Sequence, residues 1–339
     1  MEREWSEPPV KFESPAREEF VSLAAGPFRK ELLAPCYRML ASLQDAEDLV
    51  QDTFVRAWRA FDQFDPERGS LKNWLYRIAT NACFSALRDR GRRALPSELV
   101  PRAEHPASYP TTKYPETTWL QPIPDALLGS EPADPATVAI LRESIRLAFI
   151  AALQHLPPRQ RASLILKDVL AWRSNEVADL LETTPTAINS ALQRARTQLS
   201  QIAPIQEEVA EPTEAEQLDL LNRYVSAFQS QDLTALAAML RDDAVLEMPP
   251  WLHWVAGRND VMAFIRMSFG RRPAGAWRMR VRAANRQPAL ASYARDDTGT
   301  FRAHSIHVFT IAAGGIRHIV AFVDDALFPA FGLPTLLET

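Results

Sequence analysis

Cysteine and glycine are scarce in this 339-residue chain, and each scarcity excludes a class of structure. The two cysteines, Cys36 and Cys83, form no CxxC pair and have no histidine cluster nearby, so we expect buried free thiols and neither a disulfide framework nor a metal site. Only 11 glycines stand against 26 prolines, which suits helices joined by stiff linkers better than a glycine-rich phosphate-binding fold. No apolar run approaches about 18 residues and the N-terminus is acidic, so we expect a cytoplasmic protein with no membrane segment and no bound cofactor.

Chain length and the placement of proline predict the domain organisation. At about 150 residues per domain, the length predicts two or three domains. Nine of the 26 prolines fall in 95–135, which we interpret as an extended linker that keeps its neighbours separable. A second, acidic linker is expected at 203–213. The predicted domains are therefore 12–94, 136–202 and 214–335.

The three predicted domains differ in the periodicity of their apolar residues. In the first two, apolar residues recur at spacings of three and four, which predicts two all-α domains, a helical bundle and a helix-turn-helix. In the third, two helical patterns precede short β-rich runs, which predicts an α+β domain with helices on a curved antiparallel sheet. The expected strands are 244–248, 277–284, 289–294, 302–311 and 316–323, with a helix near 260–269.

The segment from Asp45 to Phe61 predicts an amphipathic helix. Its apolar stripe, which includes Leu49 and Val50, is expected in the core. The opposite face is polar and consists of Asp48, Gln51, Asp52 and Arg56. That face is either a solvated surface or a docking surface for a basic partner helix, and the local sequence leaves both interpretations open.

The next helix, which Ser70 can cap, carries aromatic residues on the face opposite its buried stripe. This face comprises Asn73, Tyr76, Arg77, Thr80, Asn81, Phe84 and Arg88. Aromatic rings interleaved with arginine and asparagine suit unstacked nucleic-acid bases, and the segment 68–93 has seven basic residues and one acid in a chain of net charge -4. The alternative is that Tyr76 and Phe84 pack beneath a neighbouring helix.

The second domain contains a helix-turn-helix pattern. A polar turn precedes Pro185, and the helix that follows carries no acidic residue through Ser200. Short polar side chains near its start are sized to reach base edges in a major groove, and two arginines lie farther along. These candidates are Thr184, Thr186, Asn189, Ser190, Arg194 and Arg196. A helical hairpin without DNA-binding function has a similar placement of turn residues and proline, and it remains the alternative.

The runs LLAPCYRMLASLQDAEDLVQDTFVRAWRAFDQFD and GSLKNWLYRIATNACFSALRDRGRR closely resemble domain two of the bacterial extracytoplasmic-function (ECF) sigma factors. The resemblance implies that the DAEDLVQDTF helix binds the clamp helices of the RNA polymerase β′ subunit. The implied contact residues are Asp45, Asp48, Leu49, Val50, Gln51 and Asp52. It also implies that the next helix melts the minus-ten promoter element and captures bases, through Trp74, Tyr76, Arg77, Asn81, Phe84 and Arg88.

The run LPPRQRASLILKDVLAWRSNEVADLLETTPTAINSALQRARTQL resembles domain four of the same family. This implies minus-thirty-five recognition and contact with the polymerase β flap. The family pattern has arginines where this chain has Asn189 and Ala191, so the base preference of better-known members does not carry over.

The third domain resembles the SnoaL-like branch of the NTF2-like fold, a cone of helices on a curved sheet with an interior pocket, and the whole layout resembles the sigma-G type of ECF factors. The matching segments are WLQPIPD, EMPP and FPAFGLP. Candidate pocket residues are Glu247, His253, His304, His307 and Asp324. We expect no catalysis, a regulatory role in cis and room for a small ligand. The alternative is an NTF2-like enzyme of isomerase or cyclase type with DNA-binding appendages.

Overall fold

The computed structural model begins with three helices that pack on one another: α1 (Pro27–Leu40), α2 (Leu43–Arg59) and α3 (Leu71–Arg88). The Ser42 hydroxyl accepts a hydrogen bond from the Asp45 backbone N–H and so caps α2. The residues that the structure describes are 20, 26–67, 69–88, 91–108, 119–129, 134–202 and 212–337. No helix among them is long and apolar enough to cross a bilayer.

The middle domain is also helical, as predicted. Its helices are α4 (Pro135–Glu143), α5 (Leu147–Leu153), α6 (Pro158–Leu164), α7 (Ser174–Leu180) and α8 (Pro185–Ile202). Helix α6 continues as a π-helical turn to Val169. The turn between α7 and α8 places Glu182 at φ +52°, and the buried Ile188 and Leu192 hold α8 against its neighbours. The helix-turn-helix prediction is confirmed.

The C-terminal domain has the predicted α+β fold. Its helices are α9 (Glu214–Ser230), α10 (Leu233–Met239) and α11 (Arg258–Phe269). Its strands are β1 (Leu240–Glu247), β2 (Trp254–Ala256), β3 (Trp277–Ala284), β4 (Gln287–Arg295), β5 (Phe301–Ala312), β6 (Gly315–Phe322) and β7 (Leu336–Leu337). The sheet order is β2-β1-β6-β5-β4-β3, with β7 on β5. The predicted antiparallel sheet is confirmed except for one pair, because β6 lies parallel to β1.

The sheet has two buried faces, and they belong to different cores. The inner face joins α9, α10 and α11 in the cone interior, where Phe309 and Ile319 are buried. The outer face, which includes Ile306 and Val308, belongs to one continuous apolar cluster with both helical domains. The alternation of residues along β5 therefore places neighbouring side chains in the two cores. The C-terminal domain is packed against the helical domains through its outer face.

The described ends of the proline-rich segment are packed between the domains. Ala94 forms a bridge with Trp119, and Pro124 forms one with Ala284 at the end of β3. Ile123 is fully buried. We expected this linker to keep the domains separable, but in this structure its described ends join them. Its centre (109–118), most of the acidic linker (203–211) and the start of the first predicted domain (12–19) lie outside the described residues.

Candidate functional site

Helix α2 presents the predicted acidic face. Asp48 and Gln51 are exposed, and Asp52 is half exposed and forms an ion pair with Arg56 at 2.7 Å. Leu49 and Val50 are buried, at 7% and 0% exposure. Their side chains pack in the domain core, as the apolar stripe predicted, and their implied contact with polymerase stays a prediction.

Asp45 is not part of that exposed face. Its carboxylate accepts a hydrogen bond from the Arg93 guanidinium at 2.6 Å, and the Asp45 side chain is only 17% exposed. Arg93 also donates to the Trp119 carbonyl oxygen at 2.7 Å. The structure therefore gives Asp45 a role in fixing the returning linker beside α2, in place of the surface contact that we predicted.

Helix α3 shows most of the predicted reading face. Arg77, Asn81 and Arg88 are exposed, and Trp74 and Phe84 are partly buried. Thr80, which we also placed on the solvated side, is buried. The helix thus presents a cationic and amide surface, as the pattern predicted, but with less aromatic exposure.

Tyr76 is the clear exception, because it is 4% exposed. Its ring packs on Trp172 of the middle domain at a centroid distance of 5.1 Å, and its hydroxyl donates to the Glu31 carbonyl oxygen at 3.3 Å. Burial raises the pKa of the Tyr76 phenol. The prediction of an exposed Tyr76 is wrong in this structure, and the alternative that it packs beneath a neighbouring segment is confirmed, because the middle domain covers α3.

Two buried arginines cross the interface between the helical domains in opposite directions. Arg38 of α1 donates to the carbonyl oxygen and hydroxyl of Ser144 at 3.1 and 2.9 Å. Arg161 of α6 donates to the Met39 carbonyl oxygen and to Gln154. Burial lowers the pKa of each guanidinium to about 10, so both remain protonated at neutral pH. These bonds fix the middle domain against α1.

The two cysteines lie at the same interface and are free, buried thiols, as predicted. Both line a small cavity together with Ala162 and Ile165 of the middle domain. A hydrogen bond to Cys36 and burial raise the pKa of Cys83. The thiols are therefore shielded while the two helical domains are in contact, which we call the closed arrangement.

All six candidates for minus-thirty-five recognition are exposed on or beside α8. Thr186, Ser190 and Arg194 follow one another at a spacing of four, so they share one side of the helix. The Thr184 hydroxyl accepts from the Ala187 backbone N–H, and Asn189 contacts Ser174 at 3.2 Å. Arg196 is bound by both carboxylate oxygens of Asp168, at 2.9 and 2.7 Å, so this arginine is held within its own domain.

The C-terminal cone encloses a cavity of about 410 Å³. Its lining is mainly apolar and aromatic, and its polar groups are His304, Ser305 and His307 on β5 together with Ser268, Arg271, Arg272 and Asp297. The Ser305 hydroxyl lies 2.8 Å from His307 Nε2 and 2.7 Å from Ser292. Burial, with the neighbouring His304, lowers the pKa of His307 to about 3, so its imidazole is neutral at pH 7.

Three of the other predicted pocket residues lie outside this cavity. Glu247 is 1% exposed and faces the linker, where one carboxylate oxygen accepts from the Ser97 backbone N–H at 2.8 Å and the other lies 2.9 Å from His318 Nε2. His253 packs on Phe264 in the domain core, and its pKa is lowered by burial. Asp324 caps a 3₁₀ helix through the Ala326 backbone N–H. None of these three side chains is among the residues that line the cavity, so their assignment to it is wrong for this structure.

Sequence reasoning missed the residues that join the domains. Arg38, Arg161, Trp172 and Asn285 were not among the candidates, although Asn285 and Arg286 stand between two predicted strands and indicate a hairpin turn. That signal predicts the turn and not the surface that it contacts.

Comparisons with known proteins match three segments of the chain. Residues 27–93 match sigma-70 region 2, residues 146–199 match sigma-70 region 4, and residues 221–319 match the SnoaL-like domain. The ECF RNA polymerase sigma factor SigG of Mycobacterium tuberculosis is 46% identical over 312 residues, which are 92% of this chain and 83% of SigG. SigJ of the same organism is 25% identical over 70% of this chain and 69% of SigJ.

The crystal structure of Mycobacterium tuberculosis SigJ is similar in fold, with a TM-score of 0.57 at 20% sequence identity over 93% of this chain and 99% of that one. The match to SigG and the order of the three segments support the sigma-factor interpretation over the NTF2-like enzyme. The chain therefore belongs to the extracytoplasmic-function family of RNA polymerase sigma factors, with a SnoaL-like domain at its C-terminal end.

Proposed function

We propose that this sigma factor is controlled in cis by its C-terminal domain, which holds the middle domain over the helix that opens the promoter. The observation that carries the proposal is the burial of Tyr76 beneath Trp172. As a member of the sigma-factor family, the chain binds RNA polymerase core and promoter DNA. A ring that stacks on an unpaired base must be accessible, and Tyr76 is inaccessible while the two helical domains are in contact.

The masking in this proposal is selective. The acidic face of α2, with Asp48 and Gln51, stays exposed in the closed chain, and this face would bind the clamp helices of β′. The α8 face with Thr186, Ser190 and Arg194 is also exposed and would enter the major groove of the minus-thirty-five element beside the β flap. The closed chain would thus bind polymerase before it could melt DNA.

Trp172→Ala tests this proposal. Since an aromatic pair contributes about 0.5–1.5 kcal/mol beyond its buried area, we expect the open arrangement to be favoured about 2- to 10-fold. Promoter opening by reconstituted holoenzyme, followed by 2-aminopurine fluorescence in the minus-ten element, should rise by a similar factor. Trp172→Phe, which keeps a ring on Tyr76, is the matched control. Unchanged opening by Trp172→Ala at equal polymerase occupancy would contradict the masking.

We further infer that the cone cavity takes a small, mainly apolar ligand. Its volume is in the range of ligand pockets, and its lining is mainly apolar and aromatic, with Arg271, Arg272 and Asp297 as charged groups. Ser305 and His307 line it, whereas Ile306 and Val308 on the same strand belong to the core shared with the helical domains. A ligand would therefore contact the face of β5 opposite to the face that packs in that core. Titration with 2-naphthol, with the cavity-filling Ala321→Phe as the non-binding control, measures this, and equal binding by both proteins would contradict it.

A further inference from the structure

The tip of the β3–β4 hairpin, defined here as Asn285–Gln287, lies where α1, the linker and the start of α5 meet. Asn285 and Arg286 have φ values of +57° and +55°, the left-handed conformation that a two-residue hairpin turn requires and that asparagine adopts readily. Asn285 is nevertheless 0% exposed. Hairpin turns commonly lie in solvent, so a fully buried asparagine in such a turn indicates a contact with a specific purpose.

The Asn285 carboxamide joins three different segments. Its Oδ1 accepts from the Ile123 backbone N–H of the linker at 3.0 Å. Its Nδ2 donates to the Tyr37 hydroxyl of α1 at 2.8 Å and to the Ile145 carbonyl oxygen, just before α5, at 2.8 Å. Both amide hydrogens and the amide oxygen thus form hydrogen bonds, each to a different segment. These bonds of one side chain depend on the relative position of all three segments.

The neighbouring groups complete the same contact. The Tyr37 hydroxyl in turn donates a hydrogen bond to the Gln121 carbonyl oxygen at 2.7 Å. Gln287 Oε1 accepts from the Leu147 backbone N–H at 2.9 Å, at the start of α5. The Arg286 backbone N–H donates to Asp125 at 2.8 Å. The hairpin tip therefore supplies hydrogen-bond partners to backbone groups of its neighbours. These groups would lose those partners if the tip moved away.

We propose that Asn285 is the positioning residue through which the C-terminal domain holds the helical domains closed. This inference rests on the proposed control in cis and names the contact that exerts it. The C-terminal domain contributes the carboxamide, and the closed arrangement contributes its three partners. Any movement that separates α1 from the start of α5 breaks at least one of these bonds in a buried site. Closure and docking of the hairpin tip are consequently one event.

The chain carries its own reporter of this event. Cys36 and Cys83 are its only cysteines, and both lie at the interface between the helical domains. A thiol reagent such as 5,5′-dithiobis(2-nitrobenzoate) reaches them when that interface opens, and the labelling rate follows the open fraction when closing is fast. The experiment uses full-length protein without added cysteines.

Asn285→Gly is the test, because glycine keeps the left-handed turn and removes only the carboxamide. Each of the three lost bonds shifts the closed–open equilibrium by a factor of about 2 to 10, so we expect labelling about 10- to 1,000-fold faster. Promoter opening by the holoenzyme that contains this variant should also increase. Ala313→Gly, in the exposed turn between β5 and β6, is the matched control and should label as the native chain does.

Tyr37→Phe supplies the readout that distinguishes positioning from a general loss of stability. Since Tyr37 and Asn285 act through one hydrogen bond, the two substitutions together should accelerate labelling by less than the product of their separate effects. Fully multiplicative effects would overturn the assignment. The assignment would also be overturned if the labelling rate depended on urea concentration as strongly as global unfolding does.

The outcomes separate this inference from the proposed function. If Asn285→Gly labels at the native rate while Trp172→Ala labels faster, Asn285 does not hold the domains closed, and the masking by the middle domain still stands. If Asn285→Gly labels faster but opens promoters no faster, the positioning role stands and the masking is wrong. Faster labelling together with faster opening supports both.

Discussion

Two carboxylates on α2 provide the most direct test at the scale of single residues. Replacing Asp48 and Asp52 with lysine reverses the charge of the exposed face without touching the core, because both side chains project from the helix. We expect the double variant to lose co-purification with RNA polymerase core, since like charges across an interface oppose binding. Circular dichroism should show a native fold.

The chain offers a close control for this charge reversal. Asp219 pairs with Arg223 four residues later on α9, as Asp52 pairs with Arg56 on α2. Asp219→Lys therefore makes one of the two charge reversals in the same helical setting on the C-terminal domain. Polymerase binding should survive it. Equal retention of polymerase by Asp48→Lys/Asp52→Lys would rule out the acidic face as the docking surface.

His307 predicts a pH dependence of stability. Burial, with the neighbouring His304, lowers its folded pKa to about 3, while an unfolded histidine titrates near 6.5. The unfolded state therefore binds the proton first, so the contribution of His307 to stability is complete above pH 6.5 and declines as the pH falls toward 3. His307→Gln should flatten the dependence of the melting temperature on pH in this range. A variant profile parallel to the native one would show that other groups cause the decline.

Predictability at the residue scale depended on what covers each side chain. The exposure of Arg77 and the buried positions of Leu75 and Cys83 follow from the helical period alone. Tyr76 follows the same period and is buried all the same, because the covering surface is a different domain. Glu247 was predicted to face a pocket and contacts the linker, since strand alternation gives two faces and does not say which segment packs on each.

At the scale of elements, α1 and α6 hold the helical domains together through polar groups in an apolar interface. Arg38 is 3% exposed and its donors reach the carbonyl oxygens of Leu141 and Ser144 and the Ser144 hydroxyl. Such a guanidinium is costly to bury unless all of its donors are used. Its bonds therefore specify one arrangement of α1 against the end of α4.

Arg38→Met should loosen that arrangement. Methionine fills a similar volume and leaves the Ser144 carbonyl oxygen without its buried donor, which costs about 1–3 kcal/mol. We expect faster thiol labelling of Cys36 and Cys83 and a lower melting temperature. Arg29→Met, at an exposed arginine on the same helix, serves as the control. Labelling that matches the control would mean that the bonds of Arg38 do not determine closure.

Element types were more predictable than element partners. Strands β3 to β6 lie close to the predicted runs, because β-rich segments are bounded by turn residues. The parallel pairing of β1 with β6 was missed, since pairing over 70 residues of chain leaves no local pattern. The packing of Trp172 on Tyr76 was missed for the same reason.

At the scale of the whole molecule, the closed arrangement explains why a DNA-binding chain can carry a net charge of -4. Its two reading surfaces need not hold DNA alone, because polymerase would fix both of them on the promoter. Before that step, the continuous core formed by the helical domains and the outer sheet face keeps the Tyr76 ring of α3 covered. Control would then lie in the stability of this shared core.

Cutting the chain after Gln201 removes the sheet and its hairpin tip from that core. Tyr37, Ile123 and Ile145 lose their common partner Asn285, so the middle domain should separate from α3 more readily. We expect the truncated protein to give more promoter-dependent transcript per polymerase-bound molecule in vitro, and to be less stable because the apolar partners of the sheet become exposed. Full-length Asn285→Gly should fall between the native and truncated proteins. Lower output from the truncated protein at equal polymerase occupancy would mean that the C-terminal domain assists initiation, which would reverse the sign of the proposed control.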